Sequence, residues 1–341
     1  MIKLIAGPCS AESRSVTLAV AAALAALAPQ FESLGFELTG LRASVWKPRT
    51  RPGNYEGPGA VALEWLAASP VSALTEVGTP AHVEAALKAG LRRFWIGSRT
   101  TTNPFDVQAI ADALRGTDSE VMVKNPMNPD AELWIGAVER LYAAGIRDIS
   151  LIHRGFSFYE KSRYRNAPKW QVPIDVMQML PQFPMYCDPS HIGGDRLYIK
   201  EISQKALDLG FAGLFIETHI TPEAALTDAR QQVTPGQLLE ILQALVIKHA
   251  CAADGGLSAI EQLRTQIDAL DDSLLDILAE RMKVSESLGS LKRAGHIQIL
   301  QPERWEAVLR RVTERAGSLG LDRDFVRDLY KLIHQASIDK Q

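Results

Sequence analysis

Short apolar runs rich in β-branched and aromatic residues recur along the first 250 residues: Ile2–Ala6, Gly40–Trp46, Val71–Val77, Arg93–Gly97, Glu120–Val123, Asp148–Ile152, Met185–Cys187 and Gly213–Ile216. Between them the apolar positions return at the three- and four-residue spacing of an amphipathic helix. Eight strand-then-helix units predict an α/β fold, a (β/α)8 TIM barrel whose eighth strand closes on its first. A doubly wound open sheet is the alternative, but no G-x-G-x-x-G follows an early strand and Gly193–Gly194 comes late in the chain. The alanine-rich run Val16–Ala28 predicts a helix stopped by Pro29; at 13 residues it is too short to span a bilayer.

The pattern changes near residue 250, since 17 of the 18 prolines lie at or before Pro235. From Leu257 to Arg293, apolar residues including Leu263, Ile267, Leu270, Leu274, Ile277, Leu278 and Met282 recur at helical spacing throughout. One amphipathic helix of that length exceeds about 50 Å, more than a compact domain needs, so its apolar stripe is expected to meet a partner chain. Two shorter helices follow, one entered at Pro302 and one starting at Asp322 or its neighbour. The domains predicted are therefore 1–250 (barrel) and 258–341 (all-helical), joined by a linker over 251–257.

Charge narrows the function classes. With 37 Lys and Arg against 40 Asp and Glu, the net charge of -3 offers no generic attraction to nucleic acid or to an acidic membrane. Three cysteines form no disulfide framework, which places the chain in a reducing, cytoplasmic setting and leaves any functional Cys as ligand or nucleophile.

In such a barrel the chemistry lies where strands run out into their following loops. Strand one ends in Gly7-Pro8-Cys9-Ser10, strand seven in Asp188-Pro189-Ser190-His191, strand eight in Glu217-Thr218-His219, and the next loop carries Asp228. Closure makes these strands neighbours, so Cys9, His191, Glu217 and Asp228 can converge on one divalent metal ion. A lone Cys or His is more often structural; the coincidence on three adjacent strand ends is what outweighs that reading. His82, His153 and Cys187 lack such support and read as structural, and His219 reads as a neighbour of the metal ligands. A second set is cationic: Arg42 and Lys47 flank the end of strand two, Arg99 follows strand four, Lys124 ends strand five and Arg154 follows strand six. Cations gathered at one barrel mouth repel one another unless a polyanion binds among them.

Gly7-Pro8-Cys9-Ser10, Lys47-Pro48-Arg49-Thr50, Gly97-Ser98-Arg99-Thr100, Val123-Lys124, Arg154-Gly155, Asp188-Pro189-Ser190-His191 and the Glu217…Asp228 pair resemble 3-deoxy-D-arabino-heptulosonate 7-phosphate synthase of type I-beta. The resemblance covers nearly all of residues 1–250. It implies that Arg99, Lys124 and Arg154 hold phosphoenolpyruvate, with Arg42 and Lys47 beside them, and that Arg49 and Thr50 take the phosphate of erythrose 4-phosphate. It maps the metal onto Cys9, His191, Glu217 and Asp228, with manganese expected and cobalt, iron or zinc as alternatives. The sister enzyme that makes an eight-carbon sugar acid carries Asn-Arg-Ser-Ser where this chain has Lys-Pro-Arg-Thr, and Arg51 stands where many members have Ser. The implied reaction is an aldol-type condensation, with Lys47 or a metal-bound water as proton donor to the new alkoxide.

On the long helix Arg264, Arg281 and Lys292 fall roughly on one face, which suits either a dicarboxylate or a dimerising seam with solvated charges. Leu263-Arg264, Leu278-Ala279-Glu280-Arg281, Gly289-x-x-Lys292, Pro302-Glu303-Arg304 and Ser337-x-x-x-Gln341 resemble the all-helical chorismate mutase. The resemblance implies an intertwined homodimer in which Arg264 of one chain and Arg281 of the other clamp the two carboxylates of chorismate. Lys292 and Gln341 would hydrogen-bond the breaking ether oxygen, with Arg304 and Ser337 alongside. Gln301 stands where the family often has Asp, and Trp305 where it often has Glu. Two functions are thus expected together: condensation in the barrel and rearrangement of chorismate to prephenate in the helices. The alternative keeps the barrel enzyme and makes the helical part a chorismate- or prephenate-sensing, dimerising module.

Overall fold

The computed structural model describes residues 1–49, 51–159, 163–248, 257–296, 298 and 301–340. The predicted site residues Thr50 and Gln341, and residues 251–256 of the predicted linker, lie outside the described residues. The chain divides into two compact units, Met1–Ala250 and Cys251–Gln341.

Eight parallel strands build the first unit: β1 (Ile2–Gly7), β2 (Phe36–Arg42), β3 (Ala73–Val77), β4 (Arg93–Ile96), β5 (Glu120–Lys124), β6 (Ile149–His153), β7 (Met185–Cys187) and β8 (Gly213–Glu217). They pair in sequence order and β8 closes on β1, with Gly7 opposite Glu217. This is the predicted barrel. Inside it, Ile5, Leu74, Trp95, Met122, Ile152, Tyr186 and Phe215 form one buried layer drawn from seven strands. The helices pack outside against a larger apolar shell that includes Leu4, Phe94, Val121 and Leu214. Residues i and i+1 of a strand face opposite sides, so strands buried on both faces read as nearly continuous apolar runs.

Two local predictions need correction. Strand two runs over Phe36–Arg42, four residues before the expected Gly40–Trp46. Its first half carries Glu37, which pairs with Lys3 on β1 at 2.6 Å and looks polar in sequence, whereas the apolar Ala43–Val45 is a buried loop. The first helix is not stopped by Pro29 but runs over Arg14–Ser33. At 20 residues it has the length and apolar composition of a bilayer-crossing helix, yet it buries Val20, Ala21, Leu24 and Phe31 in the core of the barrel unit.

The second unit consists of the helices Leu257–Ala294, Pro302–Ser318 and Arg323–Lys340. Val312, Ala316 and Val326 form its small buried cluster. Along the 38-residue helix Leu263, Ile267, Leu270, Leu274 and Ile277 are each more than half exposed. That stripe is where the sequence pattern expects a partner.

Candidate active sites

The barrel site begins with the backbone that brings β1 and β2 together. A Cβ on Gly7 would lie 2.2 Å from the carbonyl oxygen of Arg42, and Gly7 takes φ +150, so only glycine lets the chain turn there and deliver Cys9 inward. After β7, Asp188 caps the short helix Pro189–Gly193 by accepting the His191 backbone N–H at 3.1 Å, which fixes where His191 leaves the helix. Glu217 ends β8, and Asp228 sits in the following loop with a left-handed backbone (φ 50), a conformation that Asp tolerates better than most residues.

Cys9, His191, Glu217 and Asp228 each offer one ligand atom, and these atoms all lie within 4.8 Å of one another. Their contacts are specific. Lys47 Nζ donates to Cys9 Sγ at 2.6 Å, and the thiol lies 3.2 Å from Asp228 Oδ2. Glu217 accepts from Arg42 at 2.9 Å and from Gln231 at 2.8 Å, and its Oε1 lies 3.7 Å from His191 Nε2. The other imidazole nitrogen, Nδ1, is 2.8 Å from Asp188 Oδ2. Burial pushes the Cys9 thiol up, with Glu217 adding to it, whereas His191 is held down by burial against the pull of Asp188. Asp228 lies well below the usual carboxylate range: burial opposes this, but Lys47, His191 and Arg165 prevail. A neutral imidazole, two ionised carboxylates and a thiol whose proton a divalent cation would displace form a fitting donor set for a borderline transition metal. The Asp188–His191 contact is the kind of outer support that metal-bound imidazoles use.

The cations stand over the aromatic top of the barrel core. Arg42 is fully buried, with its Cζ 4.4 Å from the Phe215 ring centroid, and it pairs with Glu217 and with Asp188 at 3.6 Å. Lys124 donates to Asp188 at 2.8 Å, and its pKa is lowered by burial. Arg154 is lowered to about 10, again chiefly by burial, and donates to Asn166 at 2.9 Å. Lys47, Arg49, Arg99, Lys124 and Arg154 border one cavity of about 90 Å³ together with His191 and Asp228. The cationic set and the ligand set are therefore a single site. The sequence reading missed three members. Arg165 pairs with Asp228 at 2.9 Å, Glu76 borders the same cavity, and Asn166 donates to the His191 carbonyl at 2.6 Å while holding Arg154. Asp188 was visible only as part of a motif.

His82, His153 and Cys187, which the sequence reads as structural, and His219, which it reads as a neighbour of the ligands, lie outside the four-donor group. His153 is buried in an aromatic cage of Trp134, Phe156, Trp170 and Phe211, and Cys187 is fully buried. His219 is buried 3.7 Å from Glu12, and its Nδ1 accepts the Thr221 N–H at 3.0 Å. His82 is stacked on Trp46 beside the barrel mouth.

In the helical unit a cavity of about 570 Å³ is lined by Arg281, Lys292, Arg304, Ser337, Trp305 and His334, among others. Arg281 donates to Ser337, and Lys292 is almost wholly buried. Trp305 and His334 stack with ring centroids 3.9 Å apart, and burial, Arg281 and Lys292 together hold the imidazole below its ordinary pKa. No carboxylate lines this cavity among the described residues. Arg264 is exposed and absent from the lining; on a straight helix it stands about 25 Å from Arg281.

A closed barrel with this donor set beside a cluster of buried cations falls within the metal-dependent aldol-type synthases. Within that class the chain belongs to the DAHP synthetase I family, whose model matches residues 1–250, and residues 263–341 match chorismate mutase type II. A 3-deoxy-7-phosphoheptulonate synthase and a chorismate mutase are thus joined in one chain. The barrel is 29% identical over 247 residues to a phospho-2-dehydro-3-deoxyheptonate aldolase of Thermotoga maritima, covering 70% of this chain and 68% of that relative. A 2-dehydro-3-deoxyphosphooctonate aldolase of Magnetococcus marinus is 26% identical over 278 residues, covering 75% and 92%. The crystal structure of a Thermotoga maritima DAHP synthase superposes with TM-score 0.59 at 25% identity, covering 71% of this chain and 67% of that one.

Proposed function

We propose that the barrel condenses phosphoenolpyruvate with erythrose 4-phosphate through Cys9, His191, Glu217 and Asp228 as metal ligands and Lys47 as proton donor, and that the helical unit rearranges chorismate as a homodimer. The observation that carries this reading is the convergence of those four donors within 4.8 Å, with Lys47 2.6 Å from one of them. A divalent ion held there, with manganese as the first choice, supplies Lewis acidity toward the aldehyde. The protein's own groups do the rest. Arg99, Lys124 and Arg154 neutralise the phosphate and carboxylate of phosphoenolpyruvate, with Arg42 beneath them, and orient its methylene carbon toward the aldehyde carbonyl. Arg49 and Thr50 hold the aldehyde's own phosphate. As the new carbon–carbon bond forms, the Lys47 ammonium protonates the developing alkoxide; its pKa is raised because Cys9, Glu217 and Asp228 outweigh the cost of burial. Water then adds at the former enol carbon and inorganic phosphate leaves.

For chorismate, Arg281 of one chain and Arg264 of the partner clamp the two carboxylates, while Lys292 and Gln341 stabilise charge developing on the ether oxygen. Arg304 and Ser337 complete the wall. The position of Arg264 outside the cavity of its own chain favours a site shared between two copies. A cytoplasmic enzyme is the fitting setting for such metabolites and for free thiols.

The test is a paired assay on the purified full chain: erythrose 4-phosphate plus phosphoenolpyruvate, and chorismate, each with and without prephenate. Turnover in both arms supports the reading, and its loss for chorismate alone in Arg281→Ala assigns that turnover to the helical pocket. Binding of chorismate without turnover, accompanied by slowed condensation, instead supports the sensing module. The Trp305 and Gln301 departures favour keeping that second reading in the test.

A further inference from the structure

The segment that carries Lys47 and Arg49 leaves the barrel at Val45, and its described residues up to Gly59 lie in no strand or helix. Its first side chain, Trp46, lies flat on the imidazole of His82, with ring centroids 4.0 Å apart and planes parallel. His82 belongs to the helix Pro80–Lys88, which Thr79 caps by accepting the His82 N–H at 3.3 Å. The ring is also fixed in its plane, because the backbone N–H of Gly78 donates to His82 Nδ1 at 3.2 Å. An imidazole that accepts at Nδ1 is neutral and carries its proton on Nε2, and burial lowers the pKa of His82 in the same sense. Trp46 and His82 form one wall of a cavity of about 300 Å³, and this cavity shares Lys47, Pro48 and Glu76 with the catalytic one.

A side chain held at its backbone N–H by the helix cap and at its ring nitrogen by Gly78 is a rigid abutment. Only one peptide unit separates Trp46 from Lys47, whose ammonium reaches Cys9 at 2.6 Å, so where the anchored indole holds the backbone at residue 46 sets where the Lys47 side chain begins. We propose that His82 is a positioning residue for the condensation: by holding Trp46 flat it aims the Lys47–Pro48–Arg49 segment at the phosphorylated aldehyde. The role bears chiefly on that substrate: Arg99, Lys124 and Arg154, assigned to phosphoenolpyruvate, come from β5 and from the segments after β4 and β6, which do not carry Trp46, and of the Trp46 segment only Lys47 lies beside phosphoenolpyruvate as well. It rests on the proposed assignment of Lys47 and Arg49.

The test uses the full-length, metal-loaded enzyme, with KM measured separately for erythrose 4-phosphate and phosphoenolpyruvate. His82→Phe keeps a ring against Trp46 and loses the acceptor for Gly78; His82→Asn keeps an acceptor and loses the ring; His82→Ala loses both. His82→Ala is expected to raise KM for erythrose 4-phosphate about tenfold and lower kcat, as misplacement of a binding group does, with a much smaller rise in KM for phosphoenolpyruvate, reached through Lys47 alone, and with bound metal unchanged. The two partial variants should fall between it and wild type. An unchanged KM for erythrose 4-phosphate in all three overturns the proposal, and so does a parallel rise of both KM values, the signature of a loosened barrel. Arg49→Ala separates the role of the segment from the role of His82. If it leaves KM for erythrose 4-phosphate unchanged, the assignment of the segment fails; if it raises KM and the His82 variants do not, only the role of His82 fails.

Discussion

Asp188 holds His191 at two points: Oδ1 accepts the His191 backbone N–H at 3.1 Å, and Oδ2 lies 2.8 Å from its Nδ1. The same Oδ2 accepts from Lys124 at 2.8 Å. One buried carboxylate therefore orients both an imidazole proposed as a metal ligand and a cation proposed for phosphoenolpyruvate. His191 and Lys124 keep it ionised, well below the ordinary carboxylate pKa, against the effect of burial.

Asp188→Asn is expected to weaken metal binding about 10- to 100-fold and to raise KM for phosphoenolpyruvate as well. Competition with a calibrated chelator gives the first quantity and steady-state kinetics the second. Unaltered metal affinity would show that His191 is oriented without Asp188.

Exhaustive chelation is expected to stop condensation while leaving chorismate rearrangement at its original rate. The barrel gathers four donor groups, whereas the cavity between the helices presents Arg281, Lys292 and Arg304, which repel a cation. Cys9→Ser should lose bound metal at chelator concentrations that the wild type withstands, because a serine hydroxyl is a poorer ligand than a thiolate for a borderline ion. Full condensation activity in metal-free protein would remove the metal from the reaction.

The barrel and its four donors are legible because Cys9, His191 and Glu217 each lie within four residues of a recognisable apolar run and Asp228 in the loop after the last of them, and closure then does the gathering. Strand two was misplaced for the opposite reason: Glu37 finds its partner Lys3 on another strand, and Val45 is buried by a loop. Such long-range compensation leaves no local periodicity. Arg165, Asn166 and Glu76 were missed on the same grounds. Arg165 reaches Asp228 across 63 residues, and nothing in its neighbourhood marks it among the other arginines of that loop. Pro29 was over-read; proline disfavours a helix interior, yet the packing of Phe31 into the core carries the helix past it.

Charging the exposed stripe of the long helix is expected to separate the two activities. In Leu270→Glu combined with Leu274→Glu, two side chains now 68% and 51% exposed would become carboxylates, harmless in a monomer and costly in a buried seam. Light scattering should show a smaller species, and chorismate turnover should fall about 100-fold or more, since Arg264 would no longer reach the partner's pocket. An unchanged assembly with full turnover would show that this stripe is not the seam.

The buried His153 sets an acid limit on the barrel's stability. Burial among aromatic rings lowers its pKa to about 3 in the folded chain, against about 6.5 when unfolded. The folded state thus binds fewer protons between those values. Stability is complete above the unfolded pKa and is lost as pH falls from there toward the folded one. Between about pH 7 and about pH 4.5 this one group removes about 2–3 kcal/mol. His153→Phe, which fills the same cage, should be at least as stable near neutrality and should lose less on acidification. Urea unfolding of both metal-free proteins at the two pH values measures the difference, and the titrations of Asp188 and the other acids, common to both, cancel. Equal losses would mean that the imidazole becomes protonated within the folded barrel.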